Sequence, residues 1–207
     1  MFQINKSLAK IRYKRLSEQY DYATRRIEPV RQEVIDSLQL KAGDRVLDVA
    51  CGTGKSFAML REAVGPQGEV VGVELSPEML KIAAERVEAA GWDNVQLIEA
   101  AMETADLEGP FDAVLFVYTQ DVLQSETALT RIFAATRPGA SVASTGLKLF
   151  PWYLGIANIW LLAISYPYFT TFKGLAKPWQ PLKQYVDVVS FHLTFMGSGY
   201  ITIGKRR

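Results

Sequence analysis

The sequence predicts an α/β fold built on a doubly wound parallel sheet with helices on both faces. Three observations support this prediction. Short apolar runs alternate with helical patterns between residues 40 and 148, glycines follow several of these runs, and two alternating runs stand near the end of the chain. Strands that alternate with helices form parallel sheets, because each helix carries the chain back to the start of the next strand.

The elements follow one another in a regular order. Residues 8–39 have apolar positions at helical spacing and predict a helix in one or two pieces. The predicted strands are short apolar runs at residues 46–49, 69–74, 95–99, 111–117 and 141–147. The predicted helices between them lie at residues 56–64, 77–90 and 125–136. Two alternating runs, 185–195 and 200–204, predict an antiparallel hairpin added to the sheet edge.

Length and composition set the broad class of protein. A chain of 207 residues predicts one domain with a sizeable core, and 49% apolar with 22% charged residues excludes disordered and fibrous classes. Cys51 and His192 are the single cysteine and the single histidine, so we expect neither an internal disulfide nor a Cys/His metal site. Because the first residues lack the apolar run of a signal peptide, a cytoplasmic location is expected.

The formal charge of +1 conceals a marked asymmetry along the chain. Residues 1–31 carry 8 basic and 3 acidic side chains, residues 32–139 carry 8 and 18, and residues 140–207 carry 7 and 1. The two ends are therefore basic and the middle is acidic. A basic flank is usually only a solvated face, but two on one small protein also suit peripheral contact with an anionic membrane.

The segment LDVACGTG at residues 47–54 is a glycine turn between a predicted strand and a predicted helix. Glycines let backbone N–H groups and a helix N-terminus approach a ligand without a Cβ clash. A Walker A loop is excluded, because Val49 stands where such a loop needs its first glycine. Phe57 replaces the third glycine of a dinucleotide site, whereas Glu74 ends the second strand and suits a ribose diol. We therefore expect a ligand with a ribose and without a pyrophosphate.

Three segments resemble a known family: VLDVACGTGKS at 46–56, GVELSPEML at 72–80 and FDAVLFVYTQDVL at 111–123. They look like class I S-adenosylmethionine-dependent methyltransferases, similar to ubiquinone and menaquinone C-methyltransferases and to phospholipid N-methyltransferases. The resemblance covers roughly residues 20–148 by motif and context. It implies a Rossmann-like, seven-stranded sheet with an antiparallel last hairpin, S-adenosyl-L-methionine as cofactor with S-adenosyl-L-homocysteine as product, and no metal.

The resemblance also assigns a cofactor site. Asp48 and the backbone around Ala50 and Gly52 would hold the methionine end, and Glu74 would accept hydrogen bonds from the ribose hydroxyls. The adenine would pack on an apolar pair after the second strand. Many family members bind the adenine amino group through an aspartate that this chain lacks. The expected cofactor residues are Tyr20, Asp48, Ala50, Cys51, Gly52, Gly54, Glu74, Leu75, Met79, Ala101, Met102, Val117 and Tyr118.

Ala101 stands where that aspartate is often found, so only its backbone is available to the adenine. Glu103 is an alternative through its side chain, and a solvated surface carboxylate is an equal alternative. By the same resemblance residues 1–39 form a helical lid, residues 40–148 the cofactor core, and residues 149–207 the acceptor segment and terminal hairpin of a single domain. Tyr20 would contact the cofactor from the lid or would only pack that helix on the sheet.

Methyl transfer from a sulfonium is an in-line displacement, so a protein mainly aligns the acceptor and excludes water. A neutral amine needs no base, whereas a hydroxyl or carbon acceptor gains about 10²–10⁴-fold from one. Tyr118 follows the fourth strand and is the first candidate, against a purely packing role. Lys148 ends the fifth strand and is a candidate for an anionic acceptor group. His192 lies in the hairpin, where a half-exposed histidine without catalytic role is the simpler interpretation.

Residues 150–172 contain no charged side chain and many aromatic ones. The segment is long enough to span a membrane, but prolines interrupt it, and it lies between the fifth and sixth strands, so a span is not expected. It either covers the sheet or touches lipid headgroups. Trp152, Tyr153 and Trp179 are the candidate substrate-binding residues, and this aromatic content implies an apolar acceptor.

Several functions remain open on the sequence alone. A hydrophobic or lipid-like acceptor, either a phospholipid amine or an isoprenoid quinone, is the first hypothesis, and a soluble aromatic or polyketide metabolite is the second. A relative that binds the cofactor without catalysis and a membrane-anchored protein are further alternatives. No nucleic-acid partner is expected, because Val117-Tyr118-Thr119-Gln120 stands where nucleic-acid methyltransferases of this class carry Asn/Asp-Pro-Pro-Tyr.

Overall fold

A computed structural model describes residues 21, 22, 24–166 and 171–207 of the chain. The strands of this part of the chain are β1 (Arg45–Val49), β2 (Glu69–Glu74), β3 (Val95–Glu99), β4 (Phe111–Val117), β5 (Thr136–Leu147), β6 (Val186–Thr194) and β7 (Gly199–Arg206). The helices are α1 (Glu28–Asp36), α2 (Phe57–Val64), α3 (Pro77–Ala90), α4 (Gln120–Leu123), α5 (Glu126–Ala134) and α6 (Gly155–Ser165). Short 3₁₀ turns lie at Arg25–Ile27, Trp152–Leu154, Gln180–Gln184 and Phe195–Gly197.

The strands form a seven-stranded sheet in the order β3-β2-β1-β4-β5-β7-β6. Neighbours from β3 to β5 pair in parallel, and β7 pairs antiparallel with both β5 and β6. The strand order changes direction between β1 and β4, which is where an open α/β sheet leaves a crevice at the carboxyl ends of its strands. The predicted fold class, including the antiparallel last hairpin, is confirmed.

The central strands are apolar on both faces because both faces are covered. Val46 and Val70 belong to one buried cluster, which also contains residues of α1 and α2. Leu47 and Val71, their neighbours in the chain, belong to a second cluster with residues of α5. Successive side chains of a strand point to opposite faces, so these two clusters are the cores on the two sides of the sheet.

Local chemistry fixes the helix ends near the crevice. Ser76 caps α3, since its Oγ accepts from the backbone N–H of Met79 at 3.4 Å, and Pro77 follows at the first helical position as predicted. Gly91 ends the same helix in a left-handed conformation with φ of 63°. Ser125 caps α5 in the same way as Ser76 caps α3.

Three boundaries differ from the sequence prediction. Helix α1 ends at Asp36 and not at residue 39, and residues 8–20 and 23 of the region expected to be helical lie outside the described part. Strand β5 begins at Thr136 and not at residue 141, and α5 accordingly ends earlier. The alternation of β6 indicates that Val189 and Leu193 share a face, and in the structure both are exposed. Strand β6 is the edge strand and shifts register between Val188 and Ser190, which reduces its coverage.

The uncharged segment after β5 forms the 3₁₀ turn Trp152–Leu154 and the helix α6. Within the residues that the structure describes, no helix has both the length and the apolar character needed to cross a membrane. Helix α6 buries Leu161 and Ser165, while much of its remaining apolar surface faces solvent. Much of the described part of this segment therefore does not pack on the sheet.

Candidate functional site

The glycine turn after β1 has a backbone that most side chains would not tolerate. Ala50, Gly52 and Gly54 all have positive φ, at 51°, 59° and 73°. A Cβ on Gly54 would lie 2.5 Å from a ring carbon of Phe57, so only glycine fits there without displacing a buried aromatic ring. A positive φ at a non-glycine residue such as Ala50 stores strain and is concentrated at ligand sites. The turn lies at the carboxyl end of the central strand, where a ligand is expected.

Glu74 is buried at the end of β2 and braces this turn. Its Oε2 accepts a hydrogen bond from the backbone N–H of Gly52 at 3.0 Å, and its Oε1 accepts from the N–H of Ser76 at 2.7 Å. Burial raises the pKa of Glu74, and these backbone N–H donors act against that rise. Each carboxylate oxygen has a second lone pair, so the side chain keeps acceptor capacity for a ligand.

Asp48 is also buried, at the penultimate position of β1, and its carboxylate is incompletely satisfied. Its Oδ2 has no hydrogen-bond partner in the described part of the chain. Burial raises the pKa of Asp48 to about 7, against the lowering influence of Arg31 and Ser56. A buried acceptor without a partner is rare in folded proteins. This acceptor beside the glycine turn fits a ligand that brings a hydrogen-bond donor.

Arg31 approaches the turn from α1 and was not identified from the sequence. Its Nη1 donates to Ser56 Oγ at 3.0 Å, and its Nε pairs with Glu28 Oε2 at 2.8 Å. Only 6% of Arg31 is exposed. The apolar spacing of α1 indicates which side of the helix is buried, but an arginine among those positions gives no signal in the sequence. The site therefore combines a buried guanidinium with a buried carboxylate.

These groups surround a small cleft at the carboxyl ends of β1 and β4. The lining residues are Ile27, Arg31, Asp48, Ala50, Cys51, Gly52, Thr53, Lys55, Ser56, Val117 and Tyr118. Six of them were expected cofactor residues: Asp48, Ala50, Cys51, Gly52, Val117 and Tyr118. Burial raises the pKa of the Cys51 thiol well above its usual value, so the thiol lines the cleft as a neutral group. Of the remaining lining residues, Thr53, Lys55 and Ser56 belong to or follow the glycine turn, whereas Ile27 and Arg31 come from a part of the chain distant in sequence.

The other expected cofactor residues that the structure describes do not line this cleft. Gly54 and Glu74 support the turn from behind, as described above. Met79 and Met102 are almost fully buried, whereas Leu75 and Ala101 are half-buried. Tyr20 lies outside the described residues.

Tyr118 follows β4 with φ of 57°, a second strained position on the rim of the cleft. Its backbone N–H donates to Thr145 O at 2.9 Å, which fixes the end of β4 against β5. Tyr200 lies in the buried layer nearby: its hydroxyl is 3.0 Å from Ser144 Oγ, and burial raises its pKa. Tyr118 is thus the one catalytic candidate that the structure places at the cleft.

Lys148 and His192 do not line the cleft. Lys148 Nζ donates to the carbonyls of Leu149 at 2.7 Å and Gly197 at 3.2 Å, and partial burial lowers its pKa. His192 Nε2 lies 2.7 Å from Glu33 Oε1 of α1, with 42% of the histidine side chain exposed. Both residues join neighbouring segments, which agrees with the simpler interpretation of His192.

Glu103, the suggested substitute for the missing adenine contact, is occupied elsewhere. Its Oε1 accepts from the hydroxyl of Ser125, and its backbone carbonyl accepts from Arg131 Nε at 3.1 Å. The side chain therefore supports the start of α5. The carbonyl of Ala101 already accepts from the backbone N–H groups of Thr104 at 2.8 Å and Ala105 at 2.9 Å, which leaves its N–H for an adenine.

The three aromatic substrate candidates are separated into two groups. Trp152 and Tyr153 pack edge-to-face at 6.1 Å, and both are largely exposed. Trp179 instead packs between Phe191 at 4.3 Å and Tyr200 at 4.9 Å, measured between ring centroids. Trp179 is thus part of the packing of the last hairpin, and the first pair stands at the surface.

A polar network joins the N-terminal described residues to the glycine turn. Asp21 Oδ1 accepts from Thr53 Oγ1 at 2.6 Å, and its Oδ2 pairs with Arg86 Nη2 at 2.5 Å. Lys55 Nζ donates to the backbone carbonyl of Asp21 at 3.1 Å and pairs with Glu28 Oε1 at 3.1 Å. Asp21 and Glu28, which belong to the segment expected to act as a lid, are thus held beside the glycine turn.

The cleft is suited to a zwitterionic ligand. Within the described residues, no three His, Cys, Asp or Glu side chains are grouped so as to hold a metal ion. Asp48 offers an unpaired acceptor, Arg31 offers a guanidinium, and Gly52 gives the ligand room, since a Cβ there would meet nothing within 4 Å. An amino-acid end of a ligand, with its ammonium and carboxylate, matches this pair of charges.

Comparison with known proteins agrees with this geometry. The family described as "Methyltransferase domain" matches residues 46–139. Demethylmenaquinone methyltransferase of Bacillus cytotoxicus is 30% identical over 164 residues, which cover 74% of this chain and 68% of that protein. The Geobacillus kaustophilus enzyme of the same name is 35% identical over 134 residues, covering 61% of this chain and 57% of its own length. Several of these curated relatives are thus matched over only about half of their length.

A solved structure extends the likeness to the fold. A SAM-dependent methyltransferase of Aquifex aeolicus superposes with a TM-score of 0.62 at 20% identity, over 86% of this chain and 89% of that one. At this identity the superposition supports the fold. The family match at residues 46–139 includes the glycine turn at residues 47–54.

Proposed function

Because the chain belongs to the class I S-adenosylmethionine-dependent methyltransferase family, we propose that it transfers a methyl group from S-adenosyl-L-methionine to a lipid-like acceptor. The assignment of S-adenosyl-L-methionine as cofactor rests on the unpaired Oδ2 of buried Asp48 and on buried Arg31, both at the glycine turn. The acceptor part rests on the apolar character of residues 150–172 and on relatives named for a menaquinone precursor.

Each residue of the cleft has a defined part in this proposal. Asp48 accepts from the ammonium of the methionine end, and Arg31 pairs with its carboxylate, as charge-assisted hydrogen bonds favour. Glu74 accepts from the ribose hydroxyls while its backbone donors keep the turn in place. Gly52 lets the ligand pass close to the backbone. The bound cofactor supplies an electrophilic methyl group on sulfur.

The protein contributes positioning and the exclusion of water. Tyr118 lies on the rim of the cleft, between the cofactor residues and the hairpin, and there orients the acceptor. If the acceptor atom carries a proton, the Tyr118 hydroxyl is the group placed to take part in its transfer. Asp21, held against Thr53 and Lys55, limits the access of water to this side of the cleft.

We infer an acceptor that resides in a membrane, either an isoprenoid quinone precursor or a phospholipid amine. Such a molecule is not delivered through water, so the protein must meet an anionic membrane surface, which the basic residues after 140 favour. A soluble aromatic metabolite would need no such surface.

The direct test offers S-adenosyl-L-methionine with a labelled methyl group and one acceptor at a time. Vesicles carry either a demethylated isoprenoid quinone or phosphatidylethanolamine, and a soluble catechol serves as the third arm. Label in one of the two lipids, lost in Asp48→Asn, is the expected result. Label only in the catechol would overturn the lipid-like acceptor, and no label in any arm, with no binding of the product, would overturn the methyltransferase proposal.

A further inference from the structure

Helix α6 and the turn before it expose an unusually apolar surface. Ile156 is 87% exposed, Ile159 is 70% exposed and Trp160 is 64% exposed, while Trp152 in the preceding turn is 89% exposed. Leu161 packs inward on the opposite side of the helix. A surface helix normally turns polar side chains toward water, and a helix that is apolar on all sides is normally buried in protein or lipid. The exposure of these apolar side chains to water is therefore unfavourable.

A second apolar group lies at the tip of the β6–β7 hairpin. Met196 is 98% exposed and Phe195 is 43% exposed. Strand β5 ends where β7 begins, since Leu147 pairs with Gly199. Lys148 then joins the two segments, because its backbone N–H donates to Ser198 O at 2.9 Å. The turn that leads to α6 and the hairpin tip thus leave the sheet side by side.

Both groups lie at the same edge of the sheet as the cofactor cleft. Strand β4 runs parallel to β5, so Tyr118 at its carboxyl end and Leu147 at the end of β5 reach the same edge. The loop after α6 is tied to this edge as well, since Gln120 Nε2 donates to Lys173 O at 2.8 Å. The exposed apolar groups therefore border the opening through which an acceptor must reach Tyr118.

The charges near this edge match an anionic partner. Lys148 and Lys173 lie near this edge through their contacts with Gly197 and Gln120, whereas Lys205 and Arg206 lie toward the other end of β7, paired in register with Ser141 of β5 and Val186 of β6. Lys173 and Lys177, in the loop after α6, are both exposed. Apolar side chains flanked by lysines suit the interface of a bilayer that contains anionic lipid, because the lysines reach the headgroups while the apolar groups enter the acyl boundary.

We propose that this docking surface, formed by residues 152–166 and by the hairpin tip 195–197, seats the protein on an anionic phospholipid bilayer. Helix α6 has 11 residues, so at about 1.5 Å each it measures about 16 Å and lies along the interface. The cleft then faces the bilayer, and a lipid-like acceptor reaches Tyr118 without crossing water. This route rests on the proposed function, whereas the docking itself needs neither cofactor nor acceptor.

The test measures binding of the full chain to vesicles without cofactor. Vesicles of phosphatidylcholine alone and of phosphatidylcholine with phosphatidylglycerol are sedimented with the wild type and with two variants of equal exposure. Ile159 and Val189 are both 70% exposed, but Val189 lies five residues before the end of β6, about 17 Å along the strand. Ile159→Ser is expected to weaken binding about tenfold and Val189→Ser less than twofold, as removal of several buried CH₂ groups implies.

Charge provides the second arm of the test. Lys173→Glu is expected to weaken binding to the anionic vesicles at least fivefold, and Lys81→Glu, an exposed lysine of α3 with the same change of charge, is expected to weaken it less than twofold. Binding of the wild type should also fall as salt is raised. Unchanged melting temperatures and unchanged affinity for S-adenosyl-L-homocysteine show that each variant is folded.

Three outcomes would overturn the docking proposal. The first is an equal loss of vesicle binding in the test and control variants, and the second is equal binding of the wild type to neutral and anionic vesicles. The third is an absence of vesicle binding together with a dimer, seen by light scattering, that Ile159→Ser converts to monomers. The last outcome would assign the surface to a second copy of the chain. Vesicle binding without any binding of S-adenosyl-L-homocysteine would leave the docking in place and remove the proposed function, so the two failures are distinguishable.

Discussion

Asp48→Asn is expected to stabilise the protein in the absence of ligand, increasingly so as the pH rises. Burial raises the pKa of Asp48 from 3.8 to about 7. Between about pH 4 and pH 7 the Asp48 carboxyl keeps its proton in the folded state and loses it in the unfolded state. The free energy of unfolding of the wild type therefore falls as pH rises through this range. A shift of about three units corresponds to about 4 kcal/mol when both states have ionised.

The variant removes this titration and keeps the size of the side chain. The free energy of unfolding of Asp48→Asn minus that of the wild type should grow by about 3 kcal/mol between pH 5 and pH 8, from the populations of the two protonation states. Glu74 also has a raised pKa, but it titrates in both proteins and cancels in the difference. A constant offset from the lost attraction to Arg31 does not affect the slope.

The assay is urea unfolding of both proteins at pH 5, 6, 7 and 8 without ligand. Titration with S-adenosyl-L-homocysteine at pH 8 accompanies it, and the variant is expected to bind at least tenfold more weakly while being more stable. A difference in unfolding free energy that stays flat from pH 5 to pH 8 would refute the reasoning, because Asp48 would then ionise at its ordinary pKa in the folded protein. A function that costs stability is a common property of ligand sites.

Three further predictions concern the turn, the lid segment and the catalytic candidate. Gly54→Ala places a Cβ against the ring of Phe57 at a φ of 73° and should lower stability by about 2 kcal/mol or more, read from urea unfolding; an unchanged midpoint would contradict it. Asp21→Ala removes the acceptor of Thr53 Oγ1, so it should speed tryptic cleavage before residue 32 and weaken S-adenosyl-L-homocysteine binding several-fold. Identical digestion of the variant and the wild type would show that the Asp21 contacts do not hold this part of the chain in place. Tyr118→Phe should lower kcat more than tenfold with the KM for S-adenosyl-L-methionine unchanged, and an equal kcat would assign the ring to packing alone.

The fold could be predicted from the sequence where the pattern is local. The central strands are short, apolar on both faces and followed by glycine turns, so their type and parallel arrangement follow from the chain alone. The exposure of β6 could not be predicted from the sequence, because alternation shows which side chains share a face but not whether anything covers that face. In the structure Val189 and Leu193 lie on the edge strand, which has a neighbour on one side only.

The site was predictable only in its glycine-turn part. Asp48, Ala50 and Gly52 are adjacent in sequence and lie together in the cleft. Arg31 could not be identified, because its contact with Ser56 joins residues 25 positions apart. No pattern within α1 indicates which polar residue meets the turn. The unpaired state of Asp48 Oδ2 is likewise a property of the packed structure.

Calorimetric titration with S-adenosyl-L-homocysteine tests the central claim most directly. The wild type is compared with Glu74→Gln at the end of β2 and with Glu69→Gln at its start, where Glu69 pairs with Arg45 away from the cleft. The account predicts saturable one-to-one binding by the wild type, binding at least tenfold weaker in Glu74→Gln, and unchanged binding in Glu69→Gln. Absence of binding by the wild type, or equal loss in the two variants, would contradict a cofactor site at the glycine turn.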